Sequence, residues 1–132
     1  ARQRRPDAVL AVRILPLAAL HDAHGADAAD DAVCAVAEAL RGGVRDSDLV
    51  ARIDDDLFAV YAVGTESPTH TAGAAERVRA ALAAQNARAR EAGRTFVVPY
   101  AVGTAERQPG ETVDGLLARA AAGAPAIGPA AR

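Results

Sequence analysis

The 132-residue sequence has no methionine, no tryptophan and no lysine. Without a methionine even at position 1, it reads as a processed or excised piece of a longer chain. All fifteen basic residues are arginine, which with the heavy use of alanine reflects a GC-rich genome more than a mechanism. Aromatics are limited to Phe58, Phe96, Tyr61 and Tyr100, so the core has to be built from Ala, Val, Leu and Ile. The single cysteine, Cys34, excludes an intrachain disulfide and fits a reducing compartment. It falls among helical apolar positions and is expected as buried filler. No run approaches the ~18 apolar residues that span a bilayer, and no signal-peptide pattern is present. The domain is therefore expected to be soluble and cytoplasmic, without direct membrane contact, whether or not the parent chain is anchored. Positive charge is also lacking: a formal net charge of −2 argues against nucleic-acid binding through a basic face. The one basic cluster, "RQRRP" at the start, reads as a solvated linker.

What is present is about one domain's worth of chain, enough to bury a single core. "DAVLAVRILPL" (7–17) is rich in Val, Ile and Leu and ends at Pro16, as a buried strand does. "LAALHDAHG" follows as a short helical or turn piece closed by Gly25. From Asp27 to Leu40, Val33, Val36, Ala37 and Leu40 recur at helical spacing, with Asp27 or Asp30 as cap and "RGG" as stop. "SDLVARI" and "LFAVYAV" read as two strands of a hairpin, joined by Asp54, Asp55 and Asp56. After the loop "GTESPT", a helix is expected from about Thr71 to Ala92 (Val78, Leu82). "TFVVPYAVGTA" reads as a strand blemished by Pro99. "VDGLLARAAAG" reads as a last short helix, which "APAIGPAAR" cannot continue. The order β, short α, α, hairpin, α, β, α implies an α+β domain with helices around a mainly antiparallel sheet.

At the hairpin the sequence resembles the GGDEF domains of bacterial diguanylate cyclases. "RIDDDLF" lies where that family has "RxGGDEF". "HDAHGADAADDAVCAVAEAL" is similar to its "NDxxGHxxGDxxLxxVAxxL", and "ETVDGLLARA" to its closing "xTxxELLxRAD". The resemblance covers about Ala8 to Arg119. It implies a fold related to the palm of nucleotidyl cyclases, and the division 1–7 linker, 8–123 degenerate GGDEF domain, 124–132 C-terminal tail.

In active relatives two GTP molecules meet at a dimer interface, and the signature glycines let backbone approach guanine and phosphate. Those glycines correspond here to Asp54 and Asp55, adverse by bulk and by charge. The metal-binding carboxylate is kept as Asp56, the next acidic position is Leu57, and the closing aromatic is Phe58. The leading metal-ligand Asp of the first strand corresponds to Arg13, with Leu15 at the second position. An arginine supplies no oxygen ligand and repels a cation, so the magnesium site is expected to be lost and no cofactor is expected. The guanine-recognising Asn corresponds to His21 and its companion Asp to Asp30, a residual guanine site. No lysine stands in "AIGPAAR", where the family's phosphate-binding Lys would fall, and Arg132 is a weak match to the Arg that follows it. The resemblance thus implies a catalytically inactive member with no catalytic residues.

The family's inhibitory site, which binds cyclic di-GMP, uses "RxxD" five residues before the signature. "RDSD" places Arg45 and Asp48 there, and "AERVR" places Arg77 where relatives add a second arginine. An arginine fork suits a guanine edge or a phosphate, and a carboxylate accepts from guanine N–H groups. The bland alternative is a surface pair of ~0–1 kcal/mol with no function. His21, Asp22 and His24 lack a full ligand set and are not read as a metal site. The expectation is a regulatory module binding cyclic di-GMP and pairing with a second copy or a neighbouring domain. The alternatives are a nucleotide-free dimerisation or protein-interaction scaffold, or a GTP-binding pseudoenzyme.

Overall fold

Ala8–Ile14 (β1) runs down the middle of a five-stranded sheet and is buried over almost its whole length. The computed structural model describes residues 6–45, 47–63, 68–123 and 126–127. A strand covered on both faces reads as a continuous apolar run, which is why β1 shows no polar alternation. The hairpin arms are Leu49–Asp54 (β2) and Leu57–Ala62 (β3), followed later by Tyr100–Glu106 (β4) and Ala126–Ile127 (β5). Their order across the sheet is β2-β3-β1-β4-β5, and every pairing is antiparallel. Among the described residues no helix is long and apolar enough to cross a membrane.

Side chains alternate across the pleat, so β1 feeds two cores. Leu10, Val12 and Ile14 join Phe58, Val60, Tyr100 and Val102 under helices Leu17–Gly43 (α1) and Pro68–Glu91 (α2). Val9 and Ala11 join Leu57, Ala59 and Ala105 under Leu116 and Ala120 of helix Val113–Ala122 (α3). Leu10, Ile14, Leu40, Leu82 and Leu116 are fully buried, each contributing ~1.5–3 kcal/mol.

Local chemistry sets the helix ends. Thr112 caps α3 by accepting a 3.0 Å bond from the Gly115 N–H, and the Gly123 N–H closes the far end on the Arg119 carbonyl. Gly25 stops the first part of α1 as expected, with φ 89° and ψ 173°, a conformation glycine adopts without strain. A second helical part follows and runs to Gly43, three residues past the expected end at Leu40. α2 starts at Pro68, inside the segment read as a loop, because proline suits the first turn of a helix.

Further expectations need correction. Cys34 is exposed, because α1 buries Ala32, Ala35, Val36 and Ala39, and Cys34 points away from that stripe. The last long strand begins at Tyr100 rather than Thr95. Pro99 has no N–H to give a ladder, and the amide of Asn86 takes both backbone groups of Val98. The hairpin is apolar in sequence on both arms, yet β2 lies at the sheet edge with Leu49, Val50 and Ile53 exposed. The tail read at 124–132 contributes β5, paired with Tyr100 and Ala101; its residues 124–125 and 128–132, Arg132 among them, lie outside the described residues.

Candidate functional site

The β2–β3 turn carries the three aspartates at the same end of the sheet as the C-terminus of β1. Asp54 pairs with Leu57 across a register shift, leaving Asp55 and Asp56 as the turn itself. The Ile14 N–H donates 2.9 Å to the Asp56 carbonyl, tying the turn to the central strand. Beside it the Arg13 guanidinium reaches the Asp56 carboxylate at 3.4 Å, with both side chains about one-third exposed (35% and 34%). Arg52 donates 2.6 Å to the Asp55 carbonyl and lies 5.5 Å over the Phe58 ring. Leu57, which the resemblance sets at the position of an acidic residue, is buried on the α3 side of the sheet.

Next to this turn lies a cavity of about 460 Å³ with apolar walls that include Leu17 and Val33. His21, Asp30, Arg52, Asp55 and Asp56 also line it, so the two residues expected at a residual guanine site share one pocket with the turn of aspartates. The donor set beside the pocket does not fit a divalent cation. Asp56 faces a guanidinium, which supplies no oxygen ligand and repels a cation.

Arg45 and Asp48 form a local unit just ahead of β2. The Arg45 N–H donates 2.8 Å to one carboxylate oxygen of Asp48, and its guanidinium 3.3 Å to the other. The guanidinium also reaches the Val63 carbonyl at 3.5 Å. Arg77 projects from α2 to the Gly43 carbonyl, also at 3.5 Å, two residues before Arg45. The helices approach closely here because position 43 is glycine: a Cβ would meet the Val78 side chain at 3.1 Å. Arg45, Asp48 and Arg77 are thus gathered around one turn.

Two relationships escaped the sequence reading. Arg13 was placed at a metal-ligand position, but its ion pair with Asp56, 43 residues away, was not foreseen. Arg52 stands in the quoted signature, yet nothing in the pattern assigned it to the pocket. The opposite charges of Arg13 and Asp56 were the available signal.

An all-antiparallel sheet with helices on both faces and a hairpin turn beside a pocket defines an α+β domain. The chain belongs to the GGDEF family: the family described as "Diguanylate cyclase, GGDEF domain" matches residues 1–124. Among solved structures it is similar to an EAL/GGDEF domain protein from M. capsulatus, at 28% identity and TM-score 0.70, over 92% of this chain and 77% of that one. The GGDEF domain of PA1120 (TpbB or YfiN) from Pseudomonas aeruginosa gives 27% and 0.68, over 86% and 66%. The GGDEF domain of DgcB from Caulobacter crescentus, in complex with c-di-GMP, gives 22% and 0.72, over 87% and 67%. The chain therefore spans 66% to 77% of the length of these three structures. No curated protein matches the chain significantly.

Proposed function

We propose that this GGDEF domain is non-catalytic and serves as a regulatory module that binds cyclic di-GMP through Arg45, Asp48 and Arg77. The observation that carries the reading is the gathering of these three side chains around the turn before β2, with the Asp48 carboxylate oriented by Arg45. A guanine edge or phosphate can pair with the arginine forks, and Asp48 can accept guanine N–H groups once Arg45 swings outward. The DgcB domain, which shares the fold, is described in complex with this dinucleotide. Loss of turnover is supported by Asp54 and Asp55 at the glycine positions, Leu57 in place of an acid, and Arg13 against Asp56. A ligand that binds only the paired state of two domains shifts the equilibrium toward pairing, and that is the route by which the signal would be passed on.

Calorimetric titration with cyclic di-GMP tests the site: wild type binds and Arg45→Ala does not. A wild-type chain silent toward the dinucleotide overturns the binding claim. Formation of cyclic di-GMP from GTP and magnesium overturns the claim of inactivity. A second reading, a nucleotide-free scaffold, is favoured by the exposed Leu49, Val50 and Ile53 on edge strand β2. Dimerisation at micromolar protein, with silence toward cyclic di-GMP and GTP, would select it. The pocket shared by His21 and Asp30 favours a third reading, GTP binding without turnover, against which its acidic rim stands.

A further inference from the structure

The family's metal position and this chain's residues disagree, and the disagreement has a definite geometry. A divalent cation at the end of β1 would need several oxygen ligands. Asp56 offers one carboxylate from the turn, and the side chain facing it from β1 is Arg13, at 3.4 Å. Asp54 and Asp55, the nearest acids in sequence, are exposed, and Asp55 engages Arg52 through its backbone carbonyl.

We propose that the Arg13 guanidinium is a built-in cation. It neutralises Asp56 and holds the β2–β3 turn against β1, work that an exchangeable divalent ion could do only while bound. The adjacent bond from the Ile14 N–H to the Asp56 carbonyl sets the turn at the distance the guanidinium bridges. A covalently attached charge does not leave when divalent ions are scarce. Its volume and sign also keep such ions out when they are abundant. The turn and the pocket beside it are therefore insensitive to divalent-ion concentration. This goes beyond the cyclic di-GMP proposal and does not depend on it.

The experiment compares wild type, Arg13→Asp and the longer Arg13→Glu. Manganese uptake is followed by loss of the free-ion EPR signal, and thermal unfolding is measured in EDTA and in manganese. Wild type is expected to take up no manganese up to concentrations on the order of 10⁻³ M, where weak protein sites fill. Its melting temperature should be the same in both media. Arg13→Asp restores a carboxylate facing Asp56 and is expected to bind manganese and to melt higher with it than in EDTA. If Arg13→Asp does not fold, Arg13→Glu, which supplies the same carboxylate on a longer stem, should gain the manganese response instead. Adding Asp56→Asn to the responding variant should abolish the uptake. Uptake by wild type, no gain in any folded variant, or uptake that survives Asp56→Asn would each overturn the proposal.

Discussion

Arg45 pairs with an Asp48 side chain that is only 3% exposed, while Arg45 itself remains 40% exposed. Two bonds form the pair, one from the backbone N–H and one from the guanidinium. They differ in what a substitution removes. Arg45→Ala keeps the backbone bond and should change stability by less than about 1 kcal/mol, as exposed ion pairs do. Asp48→Ala removes both and should cost on the order of 1–2 kcal/mol. Urea denaturation of the two variants checks the order; a larger loss for Arg45→Ala would contradict it. A folded Arg45→Ala also makes the calorimetric test of ligand binding interpretable.

Asn86 is 8% exposed and holds the run leading into β4. Its side chain donates 2.9 Å to the Val98 carbonyl and accepts from the Val98 N–H at 3.0 Å and from Arg94 at 2.6 Å. Asn86→Ala leaves both backbone groups of Val98, itself 1% exposed, without these partners. The expected cost is about 2–3 kcal/mol, with faster hydrogen exchange at Val98. Unchanged exchange there would show that the amide is not what holds the segment.

Two groups are expected to make stability depend on pH at the extremes. Hydrogen bonds from Arg119 and from the Gln108 backbone lower the Glu111 carboxyl from 4.5 to about 2. Its contribution is present above pH 4.5 and is lost as pH falls toward 2. Arg119→Ala should return the Glu111 titration toward 4.5, read by carboxyl NMR. At the other extreme, burial pushes Tyr100 up from 10 to about 12. The fold keeps a proton there that the unfolded chain loses, so stability should fall as pH rises from 10 to 12. Ultraviolet titration should show Tyr100 ionising only near the upper value; ionisation near 10 would argue against its burial.

Cys34, exposed on α1, should react with a disulfide reagent in the native state, one thiol per chain and without waiting for unfolding. Cys34→Ser should leave stability within about 0.5 kcal/mol, because the side chain fills no core space. Slow labelling that tracks unfolding would reverse this assignment.

These residues also show what the sequence could convey. The central strand, the hairpin, the turn of aspartates and the short α3 were legible, because each depends on a few neighbouring residues. Gly25, whose positive φ ends the first part of α1, is a signal of that kind. The RxxD unit was legible too, since Arg45 and Asp48 meet within one turn. Cys34 was misread because its neighbours are apolar, and only the docking of α1 decides which side is covered. The start of β4 was misread because Asn86, twelve residues away, claims Val98 before the ladder can. The Arg13–Asp56 pair required strand register across 43 residues, which no local pattern encodes.

One consequence follows from the edge strand. β2 exposes Leu49, Val50 and Ile53 along an unpaired backbone, the usual template for end-to-end stacking of sheets into fibres. The register shift between Arg52 and Asp54, followed by charged residues, breaks the flat run that a growing fibre would need to copy. The acidic bend therefore places charge and an irregular register at the exposed edge, the features that oppose edge-to-edge pairing of sheets.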